Sequence, residues 1–208
     1  MMKPLSNSYV AAGFGREFLW LDLANTLEWN GFGKLADHLQ KPHWIGKILK
    51  HWNLANSIPR PVPIRDLREL RALLRRLAAK LEHEHSLDVR DLAALNAYLK
   101  VPVCIKLIQR QNGARNRGGD RAANGVYTEL VPMRSGWPWL LSRIAASFAE
   151  MLALNRPDRL KFCLNKGCNW IFYDHTKANT RLWCNARTCG NRARVRRARR
   201  RAKKSRRA

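Results

Sequence analysis

Four of the chain's five cysteines form two short pairs, Cys163 with Cys168 and Cys184 with Cys189, in a C-x4-C-x15-C-x4-C pattern. Zinc in a structural site takes four thiolates at tetrahedral corners, and two short pairs separated by a hairpin can supply them. The spacing therefore points to one structural Zn2+ held by Cys163, Cys168, Cys184 and Cys189. The alternative is four free thiols in a small core. It fits poorly, because aromatic and basic residues fill this segment, and a unit of about 45 residues with so few aliphatics needs a staple to fold. An all-cysteine shell has no open coordination position, so the metal is expected to hold structure and not to catalyse. Gly167 and Gly190, each beside a cysteine, are expected to give the backbone room to turn toward the ion.

The elements that must position these ligands are short. Trp170-Ile-Phe-Tyr173 is strand-like, Asp174 to Thr180 is turn-like, and Arg181-Leu-Trp183 is expected to return as the second strand. The second cysteine pair then opens into a basic helix, a ββα arrangement resembling a treble clef. From Arg187 onward there are twelve basic residues and no acid. Such a run repels itself and calls for an anionic partner. Within it Val195, Ala198 and Ala202 share one narrow apolar stripe. The residues expected to touch nucleic acid are Lys177, Arg181, Arg187, Arg192, Arg194, Arg196, Arg197, Arg199, Arg200 and Lys203.

Charge over the whole chain supports that reading. The formal net charge is +25 over 208 residues, and from Arg156 onward 18 Lys/Arg face two acids, Asp158 and Asp174, a local net of +16. The excess predicts attraction to polyanions, with the C-terminal part carrying the stronger share. With 46% hydrophobic residues and eight tryptophans the remainder can bury a core. Met1 to Gly15 has no apolar targeting region, and Phe18 to Leu27 is apolar but too short to span a membrane. A cytoplasmic, nucleoid-associated location without membrane contact is therefore expected, where clustered cysteines bind metal and do not form disulfides.

The chain before residue 156 reads as mainly helical with a small β-hairpin. Glu17 to Trp29 is a helix or a strand followed by a helix, broken at Gly31 and Gly33, and Leu35 to Trp52 has roughly helical apolar spacing, with Pro42 opening its second half. After the proline-rich Ile58–Ile64 connection, Leu67, Leu70, Leu73, Leu74, Leu77 and Leu81 mark the clearest amphipathic helix, Ile64 to Leu81. Ser86 or Asp88 caps the next one, which ends before Pro102. Val103–Gln109 and Val126–Val131 are strand-like, with Asn112–Gly125 between them as a Gly/Asn/Arg-rich hairpin loop. Trp139–Leu154 is a further helix, expected to pack on Ile64–Leu81. The expected domains are 1–155, mainly helical, and 156–208, the zinc module with its arginine-rich helix.

Cys189-Gly-Asn-Arg192, preceded by Trp183-Cys184, resembles the signature of the CGNR zinc-finger family. Leu21-Asp-Leu-Ala-Asn-Thr26 resembles the opening motif of the ABATE domain that is fused to such fingers, and Leu70-Arg-Ala-Leu73 and Leu95-Asn-Ala-Tyr98 fit the same domain. The likeness covers nearly the whole chain. It departs at Gly167, where an acid is common, and at Leu182, where an arginine often stands, and neither change removes a ligand. The resemblance implies a bacterial transcription regulator.

Other constellations carry less. His83 and His85 lie two apart and point to nearly opposite sides of a helix, so they cannot share an ion. Trp20, Trp29, Trp44 and Trp52 are read as core, with a ligand pocket as the alternative, and Cys104 as a buried, inert thiol. No phosphate loop, nucleophile elbow or catalytic carboxylate pair is present, and the chain is not expected to be an enzyme. The expected partners are double-stranded DNA, a small-molecule effector in the N-terminal domain and a second copy of the chain. RNA binding by the same module is the rival, as is a small-molecule-binding or catalytic N-terminal domain that uses the module for docking.

Overall fold

A computed structural model of the chain describes residues 18–29, 35–52, 54, 60–109, 126–154 and 156–205. The expected Asn112–Gly125 loop and the breaks at Gly31 and Gly33 lie outside the described residues.

The first apolar segment is a helix followed by a strand, the reverse of one order expected: α1 (Leu19–Ala24) precedes β1 (Leu27–Trp29). The helix stops where its next two side chains bond backbone groups, one on the helix's own last turn and one far along the chain. The Thr26 hydroxyl donates to the Leu23 carbonyl at 2.7 Å, and the Asn25 amide is engaged by a distant strand. The Leu35–Trp52 segment is likewise not one helix. It divides into β2 (Leu35–Asp37), a 3-10 turn (His38–Gln40) and α2 (Pro42–His51). The Asp37 carboxylate caps the turn by accepting from the Leu39 amide, and Pro42 at the first helical position starts α2 afresh.

The long helix α3 (Ile64–Glu84) buries Leu67, Leu70, Leu74, Leu77, Ala78 and Leu81 on one face and ends where His85 turns left-handed at φ 59°. Asp88 is the cap of α4 (Val89–Leu99), in a reciprocal capping box with Asp91. The antiparallel pair β3 (Val103–Gln109) and β4 (Val126–Pro132) is joined in register from Val103↔Pro132 to Gln109↔Val126. Next comes α5 (Trp137–Leu154). It meets α3 as expected, and α1, all six of whose residues are buried, packs against both. Trp20 sits edge-on to Phe148, Trp44 stacks on His38, and the Trp52 indole donates to the Asp22 carboxylate at 2.6 Å. These three rings are core, whereas Trp29 is partly exposed.

Cys104 is exposed, not buried as its apolar neighbours suggested. Val103, Ile105 and Leu107 on the same strand are exposed as well, so both faces of β3 are open and burial does not follow from local hydrophobicity. No helix among the described residues is long and apolar enough to cross a membrane.

The C-terminal hairpin pairs β5 (Leu160–Phe162) with β6 (Ile171–Tyr173), in register Leu160↔Tyr173 and Phe162↔Ile171. This corrects the expected pairing of 170–173 with 181–183. Leu160, Ile171 and Tyr173 enter the main core, which rewards β5 as the partner strand. The Arg181 amide is instead taken by the Asp174 carboxylate, and the 181–183 segment keeps one backbone bond to the hairpin's end, Leu164 N–H to the Leu182 carbonyl. A π-helical turn (Ala186–Gly190) then leads into α6 (Asn191–Ser205).

Candidate metal centre

Cys163 follows β5, Cys168 lies in the turn before β6, Cys184 precedes the π-helical turn and Cys189 lies within it. Each position has a local cause. The Cys163 amide donates to the Trp170 carbonyl at 2.9 Å and the Cys168 amide to the Asn165 carbonyl at 2.7 Å, closing the turn that brings the first pair together. The Asn185 side chain accepts from the Arg187 and Thr188 amides and caps the turn that carries Cys189. Gly136 is the only described glycine with positive φ, so the room that Gly167 and Gly190 give the chain does not come from a left-handed backbone. A Cβ on Gly190 would meet the Trp183 ring at 3.5 Å, an ordinary contact.

All four sulfurs lie within 4.8 Å of one another. Cys168 to Cys184 is 3.8 Å and Cys184 to Cys189 is 3.7 Å. Four sulfurs about 2.3 Å from a central zinc in a tetrahedron stand about 3.8 Å apart, so the spacing fits one zinc ion. At this spacing the four thiols also perturb one another. Hydrogen bonds among the sulfurs, Cys163 foremost, push the Cys168 and Cys184 thiols up, while the bond to Cys168 lowers Cys163 and the bond to Cys163 lowers Cys189, so the protons are held unequally. A divalent ion reverses that balance and deprotonates the set. With four thiolates the shell is closed, and the zinc is structural.

Three side chains that spacing did not reveal complete the module. Asn165, buried in the x4 interval, donates to Cys189 Sγ at 3.4 Å and accepts from the Arg196 guanidinium at 2.7 Å. Its place between two ligands was the available signal. Buried Asp174 accepts from Thr176, Lys161 and the Arg181 amide, organising the 174–181 loop. Burial alone would raise its pKa, but these donors outweigh burial and hold it low. Lys161 joins that carboxylate to the Asn179 carbonyl.

The basic residues divide into two groups. Arg181 lies over the Phe172 ring at 4.9 Å and donates to the Cys184 carbonyl, so it faces the module. On α6, Arg192, Ala193 and Arg196 are half-buried, and Arg196 reaches the metal site through Asn165. The narrow Val195, Ala198 and Ala202 stripe is exposed. Lys177, Arg187, Arg194, Arg197, Arg199, Arg200, Arg201 and Lys203 are exposed.

A family model described as "Putative stress-induced transcription regulator", ABATE, matches residues 17–154. The chain belongs to the ABATE family. A second model, the CGNR zinc finger, matches residues 159–202 and so contains all four cysteines. No curated protein matches the chain. Within the ABATE part, the polar members of the Leu21–Thr26 motif are all buried. Asp22 holds Trp52, Asn25 holds Ile171, and the Thr26 hydroxyl accepts from Arg71. Burial pushes the Asp22 carboxyl up to about 6, against the Trp52 bond and nearby His51. Asp37 behaves oppositely: the Arg71 hydrogen bond holds it down at about 2, with Arg68 adding a second bond.

Proposed function

We propose that this ABATE protein is a zinc-dependent regulator of transcription that binds double-stranded DNA through α6, with the helical part sensing a ligand or joining two copies. The observation that carries the reading is the arrangement of α6. One face is tied to the metal centre by the Arg196–Asn165 bond, while Arg194, Arg197, Arg199, Arg200, Arg201 and Lys203 stand exposed with no acid anywhere on the helix. Fifteen residues give a rod of about 22 Å, and a helix of ordinary width fits the DNA major groove but not the deep, narrow groove of duplex RNA. Cys189 lies at the start of this helical stretch, where the positive end of the helix dipole meets a zinc–tetrathiolate of net negative charge. That anchors the rod's base and leaves its far end free to follow phosphates.

Most of these arginines would neutralise phosphate, and only a few on one face would reach base edges. Lys177, exposed on the loop before the second cysteine pair, and Arg187, exposed on the turn within it, add further basic surface. The test is a salt titration of the zinc-loaded chain against duplex DNA, duplex RNA and single strands. Duplex DNA should bind tightest, with affinity falling steeply as salt rises. Tighter binding to structured RNA than to any DNA would overturn the reading.

A further inference from the structure

The first pair of zinc ligands is fastened from outside the zinc module. On the Cys163 side, the Phe162 amide donates to the Glu82 carboxylate of α3 at 2.8 Å. On the Cys168 side, the Asn169 carbonyl accepts from the Arg75 guanidinium at 2.8 Å, and the Asn169 side-chain oxygen accepts from the Trp29 amide at 3.1 Å. Two residues further on, Asn25 acts as a substitute strand for Ile171. Its Nδ2 donates to the Ile171 carbonyl and its Oδ1 accepts from the Ile171 amide, both at 2.9 Å. Arg75 is itself braced, donating to the Ala24 carbonyl at 2.9 Å and lying over the Phe162 ring. The second pair is held by the module's own groups: Arg181 on the Cys184 carbonyl and Asn165 on Cys189 Sγ.

We infer that Asn25, Arg75 and Glu82 are positioning residues of the metal site: they hold the backbone beside Cys163 and Cys168 from within the helical part, so that zinc closes onto a half-site the ABATE fold has already built. The bonds are buried or half-buried and fall on residues next to the ligands, Phe162 and Asn169, or three along, Ile171, where backbone movement would carry the sulfurs with it. Ordering two ligands in advance reduces what the metal must organise. The segment from Cys184 through α6 is the part that metal binding then brings in. A change in the packing of α1 or α3 therefore reaches the zinc shell, and through it α6, by direct bonds.

The test uses the full chain loaded with zinc, with release to the chelator 4-(2-pyridylazo)resorcinol followed by absorbance. Arg75→Gln, Asn25→Asp and Glu82→Leu should each release zinc roughly 10- to 100-fold faster, the range found when groups behind metal ligands are removed. Glu82→Gln keeps an acceptor for the Phe162 amide and should behave as wild type. Leu95→Ala, a buried change on α4, serves as the reference for general destabilisation, with each variant read at the same interval below its own Tm. Release from Arg75→Gln and Glu82→Leu no faster than from Leu95→Ala would overturn the proposal, even if Asn25→Asp failed to fold. Hydrogen exchange of the metal-stripped chain gives an independent readout. Protection at Phe162 and Ile171 should persist while residues 186–205 lose theirs, and collapse of both together would also overturn it.

Discussion

Ending the chain after Arg196 tests the role of α6 without touching the metal. The cut removes Arg197 to Ala208, in which Arg197, Arg199, Arg200, Arg201 and Lys203 are exposed. It spares all four cysteines and the Arg196–Asn165 bond. A helix lying in a groove presents about half its circumference, so about three of those five side chains should reach phosphates. Each phosphate neutralised on duplex DNA adds about −0.9 to the slope of log affinity against log salt, so from these five alone, before Lys204, Arg206 and Arg207 are counted, the truncated chain should show a slope shallower by about 2.7. Between about 50 and 200 mM salt that difference amounts to a factor of about 40: the intact chain should lose about 40-fold more affinity than the truncated one over this range. Fluorescence anisotropy with a labelled duplex measures it, with zinc content measured in parallel. A slope unchanged by the truncation, in protein that keeps its zinc, would place the nucleic-acid contacts elsewhere and refute the assignment of α6.

Three further outcomes follow from the geometry. Replacing Arg196 by Ala should weaken DNA binding by loosening the base of α6, yet leave the salt slope close to wild type, because its guanidinium is spent on Asn165; a slope shallower by a full phosphate contact would make it a DNA contact instead. Cys184→Ser should abolish stoichiometric zinc and unfold the segment from Cys184 through α6, read as lost helical circular dichroism and lost metal; a full complement of zinc in the variant would show that the site is not a four-thiolate shell. Asp22→Asn should change how stability depends on pH. A carboxyl raised from 3.8 to about 6 on folding favours the folded chain fully below pH 3.8 and loses that contribution as pH rises through about 6. The Asn variant keeps an acceptor for Trp52 without the charge, so relative to wild type it should gain up to about 3 kcal/mol between pH 4 and pH 7.5, measured by urea unfolding; parallel pH profiles would show that Asp22 is not the group responsible.

The zinc site was legible because its chemistry is local. Ligand type and short spacing confine four sulfurs to one small hairpin whatever surrounds them. The leucine stripe of α3 was legible for a related reason, since one helix face must find cover. What failed was each inference that needed to know what lies opposite. Local strand character did not show that 171–173 pairs with 160–162, because the choice was made by a core into which Leu160, Ile171 and Tyr173 all point. Apolar neighbours of Cys104 suggested burial, but no pattern within one strand says whether a layer covers it. Helical periodicity on α6 did not show that Arg196 turns back to the module, because that depends on the buried Asn165 opposite it. The bonds from Asn25, Arg75 and Glu82 to the backbone beside the first cysteine pair span 146, 94 and 80 residues, and no spacing rule reaches that far. Yet these long bonds share one feature with the short ones. Each places a polar side chain where burial would otherwise leave a backbone group unpaired, and an unpaired buried group costs about 1–3 kcal/mol. A buried Asn in a helix-ending position, as in Leu21–Thr26, is therefore a residue whose partner must be sought across the chain, and here that partner is the strand that follows a zinc ligand.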